Sequence, residues 1–205
     1  MQFIRPLLGA SMAGVLLLSG CSLLGGDANP TASATPKPSK TAVESVGETF
    51  TEPADCTTIL PQSQVDSYAA EKIVLLAGPG GIYGDQLVPD PTPETLSGGI
   101  SCYFGYDSDN PDGIEIYSVI SVVPIDASTR PDIVQSLIDQ GLNEGENAAG
   151  ESTYAIIGDS NANIPAILNV VNDTSWISVI SVFGGQTFFE ENVAISELVH
   201  DQVYN

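Results

Sequence analysis

The stretch Glu115-Ile116-Tyr117-Ser118-Val119-Ile120-Ser121-Val122-Val123 decides the fold, because its core Ser-Val-Ile-Ser-Val recurs at 178–182. Each copy lies in a run of β-branched and aromatic residues, which favour extended strands. Each is also placed in the second strand of a predicted hairpin, ahead of a predicted helix. The recurrence therefore predicts two similar hairpin–helix units and is compatible with an internal duplication.

Turn residues define the two hairpins. The first hairpin joins 101–106 to 114–123 through Asn-Pro-Asp-Gly, in which Pro fixes φ and Gly takes a left-handed position. The second hairpin joins 166–171 to 176–183. A further short strand is predicted over 153–157, after a polar loop.

Helical spacing of apolar residues predicts three helices. We expect them over about 61–76, from Arg130 to Gly141, and over about 190–203. Together with the strands, they predict an α+β domain with a mostly antiparallel sheet of about five strands and three helices. Neither 114–123 nor 176–183 alternates cleanly between polar and apolar residues, so both faces of the sheet should be covered. Helices would cover one face. The long loop at 78–99, a partner or a ligand would cover the other face. Alternatively, the two strands are central in the sheet and the protein itself packs on both of their faces.

The region after the first predicted helix allows a second interpretation. Residues 73–77 could form a strand that leads into a phosphate-binding loop at Gly78-Pro79-Gly80-Gly81. Such a loop needs a helix directly after its glycines, and here prolines follow instead. We therefore expect 78–99 to be a long surface loop, of a length that is often functional.

The N-terminal segment indicates export. An apolar run over 7–18 follows Arg5 and is too short to span a bilayer, and small residues follow it. Leu18-Ser19-Gly20-Cys21 resembles the lipobox of bacterial lipoproteins. The resemblance implies cleavage before Cys21 and acylation of its thiol, with palmitate-type chains holding the protein on the outer face of the cell membrane. This divides the chain into a signal peptide (1–20), a Pro/Ser/Thr/Ala-rich tether (21–49) and a single extracytoplasmic domain (50–205).

Two cysteines are left once Cys21 carries a lipid. Cys56 and Cys102 form an even pair in an oxidising compartment, which predicts a disulfide. A metal site is the weaker interpretation, because it would need two further ligands and the chain has one histidine.

The charge of the domain limits the classes of partner that it can bind. From residue 50 onward the chain has 23 acidic residues and only two basic ones, so the net charge of −21 lies in the domain. Nucleic acid is excluded as a partner, since its binding depends on Lys and Arg. Cationic ligands, basic protein surfaces and divalent metals stay open, as does a simple role of the charge in solubility.

No motif identifies a cofactor or a catalytic residue. Asp107, Asp109 and Asp112 before Gly113 are weak candidates for calcium, but the spacing does not fit an EF-hand and a solvated turn is favoured. His200 is the only histidine, and a helix-end role is favoured over catalysis.

The combination of lipobox, tether, Cys56 before a first helix and Cys102 opening a hairpin resembles cell-envelope lipoproteins of actinobacteria. It is loosely similar to mycobacterial kinase sensor domains with a disulfide-stapled α+β fold. The resemblance implies an envelope location and ligand sensing, and it brings no catalytic residues. We therefore predict a non-enzymatic module that binds a ligand or a protein. The alternatives are a structural spacer lipoprotein and, less favoured, an envelope hydrolase.

Overall fold

The computed structural model describes residues 49–87, 90–108 and 113–204, which belong to one compact unit. A single antiparallel sheet runs through it, in the strand order β1-β2-β3-β7-β6-β5-β4. The strands are β1 (Ile73–Ala77), β2 (Ile100–Tyr106), β3 (Glu115–Pro124), β4 (Asn143–Glu146), β5 (Ser152–Ile156), β6 (Ala166–Val171) and β7 (Ser175–Ser181). The helices are α1 (Gln62–Ala70), α2 (Pro93–Leu96), α3 (Arg130–Asp139) and α4 (Gln186–Val203).

The α+β class and the antiparallel sheet are confirmed, as are both hairpins and α3. The expected count of about five strands and three helices is too low, because the described residues form seven strands and four helices. The two additional strands, β1 and β4, are the edges of the sheet. All four residues of β4 are exposed, so the strand carries no apolar pattern that a sequence could show.

The first predicted helix is too long. α1 ends at Ala70, and Lys72 takes a left-handed φ of 65° that turns the chain into β1. The apolar residues of β1 pair with β2, beginning at Ile73 opposite Tyr106. The alternative strand is thus correct, but its glycine loop folds back onto β1, with the Tyr83 N–H donating to the Leu76 carbonyl at 2.7 Å.

The segment predicted as a long loop contains α2. Pro93 occupies its first turn, and the Thr92 hydroxyl accepts a hydrogen bond from the Thr95 N–H. Four residues are too few for a periodic pattern, which explains why the helix was missed. The last helix also begins earlier than expected, at Gln186 rather than near residue 190.

Helices cover both faces of the sheet. α1 and α4 pack on the face that carries Cys102 and Ile120, which we call the α1–α4 face. α2 and α3 pack on the face that carries Ser101 and Trp176, which we call the α2–α3 face. The expectation that both faces are covered is confirmed, but helices cover the second face as well as the first.

The repeated pentapeptides lie side by side in the centre of the sheet. β3 and β7 pair so that Ser118 is opposite Ser181 and Ser121 is opposite Ser178. Because side chains alternate along a strand, this register turns Ser118 toward the α1–α4 face and Ser178 toward the α2–α3 face. The helix of each unit therefore lies on the opposite face of the sheet from the first serine of its pentapeptide: α3 lies opposite Ser118, and α4 lies opposite Ser178. The duplication itself stays a prediction.

A disulfide joins Cys56 to Cys102, as predicted, with the two Cα atoms 5.4 Å apart. It ties the turn before α1 to β2 on the α1–α4 face. Gly78 passes close by with a φ of +97°, and a Cβ there would lie 2.4 Å from the Ser101 carbonyl oxygen and 2.8 Å from Cys56 Sγ. Only glycine fits at this approach. Among the described helices, none is long and apolar enough to cross a membrane.

Candidate functional site

A row of polar side chains crosses the α2–α3 face beneath its two helices. The pairing places Ser101, Ser121, Ser178 and Asn169 opposite one another on successive strands, and all four are buried. The Ser121 hydroxyl donates to Ser101 Oγ at 2.8 Å, and Ser101 shares a hydrogen bond of 2.7 Å with Thr92 of the α2 cap. The row continues from α2 into the centre of the sheet.

The row is interrupted at its middle. Ser178 is 1% exposed, and its Oγ has no hydrogen-bond partner among the described residues. Its neighbour Asn169 is satisfied, because Asn169 Oδ1 accepts a 2.8 Å bond from Trp176 Nε1 and Asn169 Nδ2 donates to the Tyr154 carbonyl. A buried hydroxyl without a partner loses its hydration and gains nothing in return. Ser178 is therefore a polar group that the fold leaves available.

A narrow crevice of about 40 Å³ opens at Ser178, between α2 and α3. Glu94 of α2 lines it and is only 6% exposed. In the described part of the chain, no side chain forms a hydrogen bond or an ion pair with the Glu94 carboxyl group. Apolar residues complete the walls: Pro93, Leu137, Ile167 and Ile180.

A larger pocket of about 420 Å³ lies on the other side of α2. Its roof is the segment predicted as a functional loop, and its lining combines hydroxyls, two carboxyl groups and a phenol: Thr92, Thr95, Ser101, Asp85, Asp90 and Tyr103. Burial raises the pKa of Tyr103, and the nearby Glu94 carboxylate raises it further. At neutral pH this phenol therefore keeps its proton and can donate it. The pocket can hold a ligand with both polar and apolar groups.

Half-buried apolar side chains lie beside these two openings. Val119, Ile180 and Ile167 face one another across β3, β7 and β6, next to the serine row. On the covering helices, Leu96 is 74% exposed and Ile138 is also exposed. Exposed apolar surface near an opening is a common feature of sites of interaction.

The α1–α4 face is tightly packed around Asn192. Asn192 of α4 is buried there, where its Oδ1 accepts from the Ser181 hydroxyl at 2.7 Å and its Nδ2 donates to the Ala166 and Val179 carbonyls. The Tyr117 hydroxyl donates to Glu191 Oε2 at 2.6 Å, also on this face. Two pockets border this face away from Asn192: an apolar one of about 280 Å³ beside α1 and β1, and one of about 320 Å³ lined by Val170 and Ile177.

Tyrosines on the α1–α4 face are held neutral. Burial raises the pKa of Tyr68 to about 12, and the Glu191 and Glu71 carboxylates add to the increase. The nearby Ser118 hydroxyl lowers the pKa of Tyr68 to a smaller extent. The Ser118 hydroxyl nevertheless forms no hydrogen bond of normal geometry with any described residue. Burial, and then the hydrogen bond to Glu191, also raise the pKa of Tyr117 far above its usual range.

The histidine lies in a fourth cavity, of about 320 Å³, beside the C-terminal part of α4. His200 Nε2 is 3.6 Å from Glu151 Oε1, and Ser196 lines the same cavity. The Ser196 hydroxyl donates to the Val193 carbonyl at 2.8 Å instead of to the imidazole. The three residues are close, but they are not connected as a nucleophile, base and acid would be.

The calcium candidates are not brought together in the described residues. Asp107 Oδ1 accepts hydrogen bonds from the Tyr83 hydroxyl at 2.6 Å and from the Ser108 N–H, while Asp109 and Asp112 lie outside the described residues. Within the described ranges, no group of three or more His, Cys, Asp or Glu side chains is arranged to hold a metal ion. The lipidation residue Cys21 and the tether also lie outside these ranges.

Comparisons with known proteins give no match, whether against protein-family models, curated proteins or solved structures.

Sequence reasoning missed the residues that define the crevice. A capping signal at Thr92-Pro93-Glu94 could have located α2, since Thr is a favoured N-cap and Pro a favoured first residue. Nothing in the sequence indicates that Ser178 lacks a partner while Ser181 has one. That difference depends on what packs above each strand.

Proposed function

We propose that the protein is a lipid-anchored, extracytoplasmic binding module without enzymatic activity. The observation that carries the proposal is the 420 Å³ pocket on the α2–α3 face, lined by Asp85, Asp90, Tyr103 and three hydroxyl residues. Its volume and its mixture of a few polar groups with apolar walls are typical of small-ligand sites. The lipobox at 18–21 and the tether support attachment to the outer face of the membrane.

The charge of the domain supports a cationic or hydrogen-bonding ligand. With 23 acids and two bases from residue 50 onward, the surface attracts cations and repels phosphates. Two carboxyl groups in the pocket, Asp85 and Asp90, add to this preference locally. The disulfide between Cys56 and Cys102 lies next to Gly78, which lines the pocket.

Native mass spectrometry of the processed chain, purified gently, tests the binding function. We expect extra mass that survives mild activation in the wild type. Thr95→Tyr, which fills the pocket, should lose it. Thr187→Tyr is the matched control, because Thr187 is exposed at the start of α4, and it should keep the extra mass. A clean oxidised monomer in the wild type would contradict a tightly held ligand and favour the spacer alternative.

The anchor is tested separately. Metabolic labelling with a tritiated fatty acid should label the wild type, and Cys21→Ala should remain unlabelled. Globomycin, which blocks the lipoprotein signal peptidase, should cause the precursor to accumulate. Labelling that persists in Cys21→Ala would rule out the lipidation site.

A further inference from the structure

Two polar groups in the crevice lack partners. The Ser178 hydroxyl is buried, lines the crevice and forms no hydrogen bond to any described residue. Glu94 is 6% exposed and lines the same crevice, and its carboxyl group receives no hydrogen bond from the described residues, although its oxygen atoms still reach solvent. A carboxylate in such a narrow, largely apolar opening is stabilised by a donor or a cation. The crevice is therefore built to receive a group that donates hydrogen bonds.

The described part of the domain does not supply that group. Its two bases are Lys72 and Arg130. Arg130 is used elsewhere, since its Nε donates to the Asn172 carbonyl at 3.1 Å and its terminal nitrogen to Ser152. Lys72 is exposed and precedes β1, at the edge of the sheet, while Ser178 lies on a central strand. Neither of these bases therefore serves as a cationic donor to the crevice.

The crevice selects the size of its occupant. A volume of about 40 Å³ accommodates roughly three water-sized groups, at 10–15 Å³ each. This suits the end of one lysine or arginine side chain but not a larger organic ligand. The apolar walls, including Ile167 and Ile180, can cover the methylene stem of such a side chain while the acid binds its charged end.

The surroundings indicate that this side chain belongs to a protein. Val119, Ile180 and Ile167 form a half-buried apolar row at the crevice, and Leu96 exposes most of its surface on α2. A free amine would leave this row uncovered, whereas a partner surface would bury it. The net charge of −21 favours and accelerates association with a basic partner.

We propose that the crevice between α2 and α3 binds a lysine or arginine side chain of a basic protein partner, whose apolar residues cover the adjoining row. The site lies on the opposite side of α2 from the 420 Å³ pocket. The proposal rests on the protein being a binding module, but not on that pocket holding a ligand.

Peptide titrations monitored by ¹⁵N NMR test the proposal on the processed chain in a non-ionic detergent. The probe is acetyl-Leu-Val-Arg-Val-Leu-amide, and its control replaces arginine with citrulline, a neutral side chain of the same shape. We expect the arginine peptide to shift the amide signals of Glu94, Gln140 and Ser178. The citrulline peptide should bind about tenfold more weakly, because charge-assisted hydrogen bonds are the stronger ones.

Variants locate the effect. Glu94→Gln should weaken binding of the arginine peptide about tenfold, and Ser178→Ala should weaken it about threefold. Glu197→Gln is the matched control, since Glu197 is an exposed acid on α4 and its loss changes the net charge equally. This control should bind like the wild type. If Glu94→Gln does not fold, the affinity of Ser178→Ala for the arginine peptide tests the site instead.

Four results would overturn the proposal. Equal binding of the citrulline peptide would remove the role of charge, and equal weakening by Glu197→Gln would reduce the effect to net charge. Shifts confined to the 420 Å³ pocket would place the peptide elsewhere. Binding of spermidine, or of a Gly/Ser-flanked arginine peptide, as tight as that of the apolar peptide would exclude the adjoining row.

Discussion

The two copies of Ser-Val-Ile-Ser-Val carry the same side chains to opposite faces of one sheet, where their surroundings differ. In each copy the second serine is satisfied: Ser121 donates to Ser101, and Ser181 donates to Asn192. In each copy the first serine, Ser118 or Ser178, is buried and finds no hydrogen-bond partner among the residues that the structure describes. Ser118 lies under the aromatic side chains of the α1–α4 face, whereas Ser178 opens into a crevice with Glu94. The equivalent serine hydroxyls thus have different consequences: Ser118 destabilises the core of one face, whereas Ser178 lines the proposed binding site on the other.

The difference comes from the helices that cover each face. α4 is 18 residues long and supplies Asn192, which satisfies three groups at once. α2 has four residues and leaves gaps on both of its sides. At the centre of the sheet the long helix therefore closes its face with Asn192, whereas the short one leaves the crevice at Ser178.

The largest effect is expected from the disulfide, which secures the α1–α4 face. Reduction of the bond between Cys56 and Cys102 should lower the free energy of unfolding by about 4 kcal/mol, because it releases a loop with a sequence separation of 46. Urea denaturation with and without reductant measures this. Hydrogen exchange should also increase more in α1 than in α3. An unchanged urea midpoint would contradict the stapling role.

A matched pair of asparagines compares the two faces directly. Asn192→Ala should lower the free energy of unfolding by about 3 kcal/mol, because it leaves the Ser181 hydroxyl and two carbonyls without their donor or acceptor. Asn169→Ala should cost roughly half as much, since water in the crevice can reach Trp176 Nε1. Equal losses in urea denaturation would show that the α2–α3 face is as closed as the other.

Alkaline pH should affect the α1–α4 face through Tyr68. The pKa of Tyr68 is about 12 in the folded state and 10.0 in the unfolded state. Tyr68 therefore contributes fully to the free energy of unfolding below pH 10, and this contribution is lost as the pH rises to 12. Over this shift of about two pKa units the loss of stability should approach about 3 kcal/mol, at 1.36 kcal/mol per unit. Urea denaturation across this range should show a smaller decline for Tyr68→Phe. A variant that declines as steeply as the wild type would place the effect elsewhere.

The smallest effects separate the two unpartnered serines. Ser118→Ala should stabilise the fold by about 1 kcal/mol, because a buried hydroxyl without a partner is removed. Ser178→Ala should change stability less, since the crevice admits water. Thermal denaturation of the two variants measures the difference. The comparison of the faces would fail if Ser178→Ala were the more stable variant.

The sequence by itself determined the main elements and the staple. Turn residues indicate the hairpins around 101–123 and 166–183, and apolar periodicity indicates the helix from Arg130. The even number of cysteines left after lipidation indicates the Cys56–Cys102 bond. The wrong predictions fall where such signals are weak. β4 is polar throughout, and β1 has a run of apolar residues that fits a helix as well as a strand.

Only the tertiary structure decided which groups are left available. The register of β3 against β7 sends Ser118 and Ser178 to opposite faces, and the length of the helix above each face decides whether a gap remains. Glu94 is buried because α2 docks beside the serine row, although nothing in its own sequence distinguishes it from 22 other acids of the domain. Packing between distant segments, and not local preference, creates the crevice.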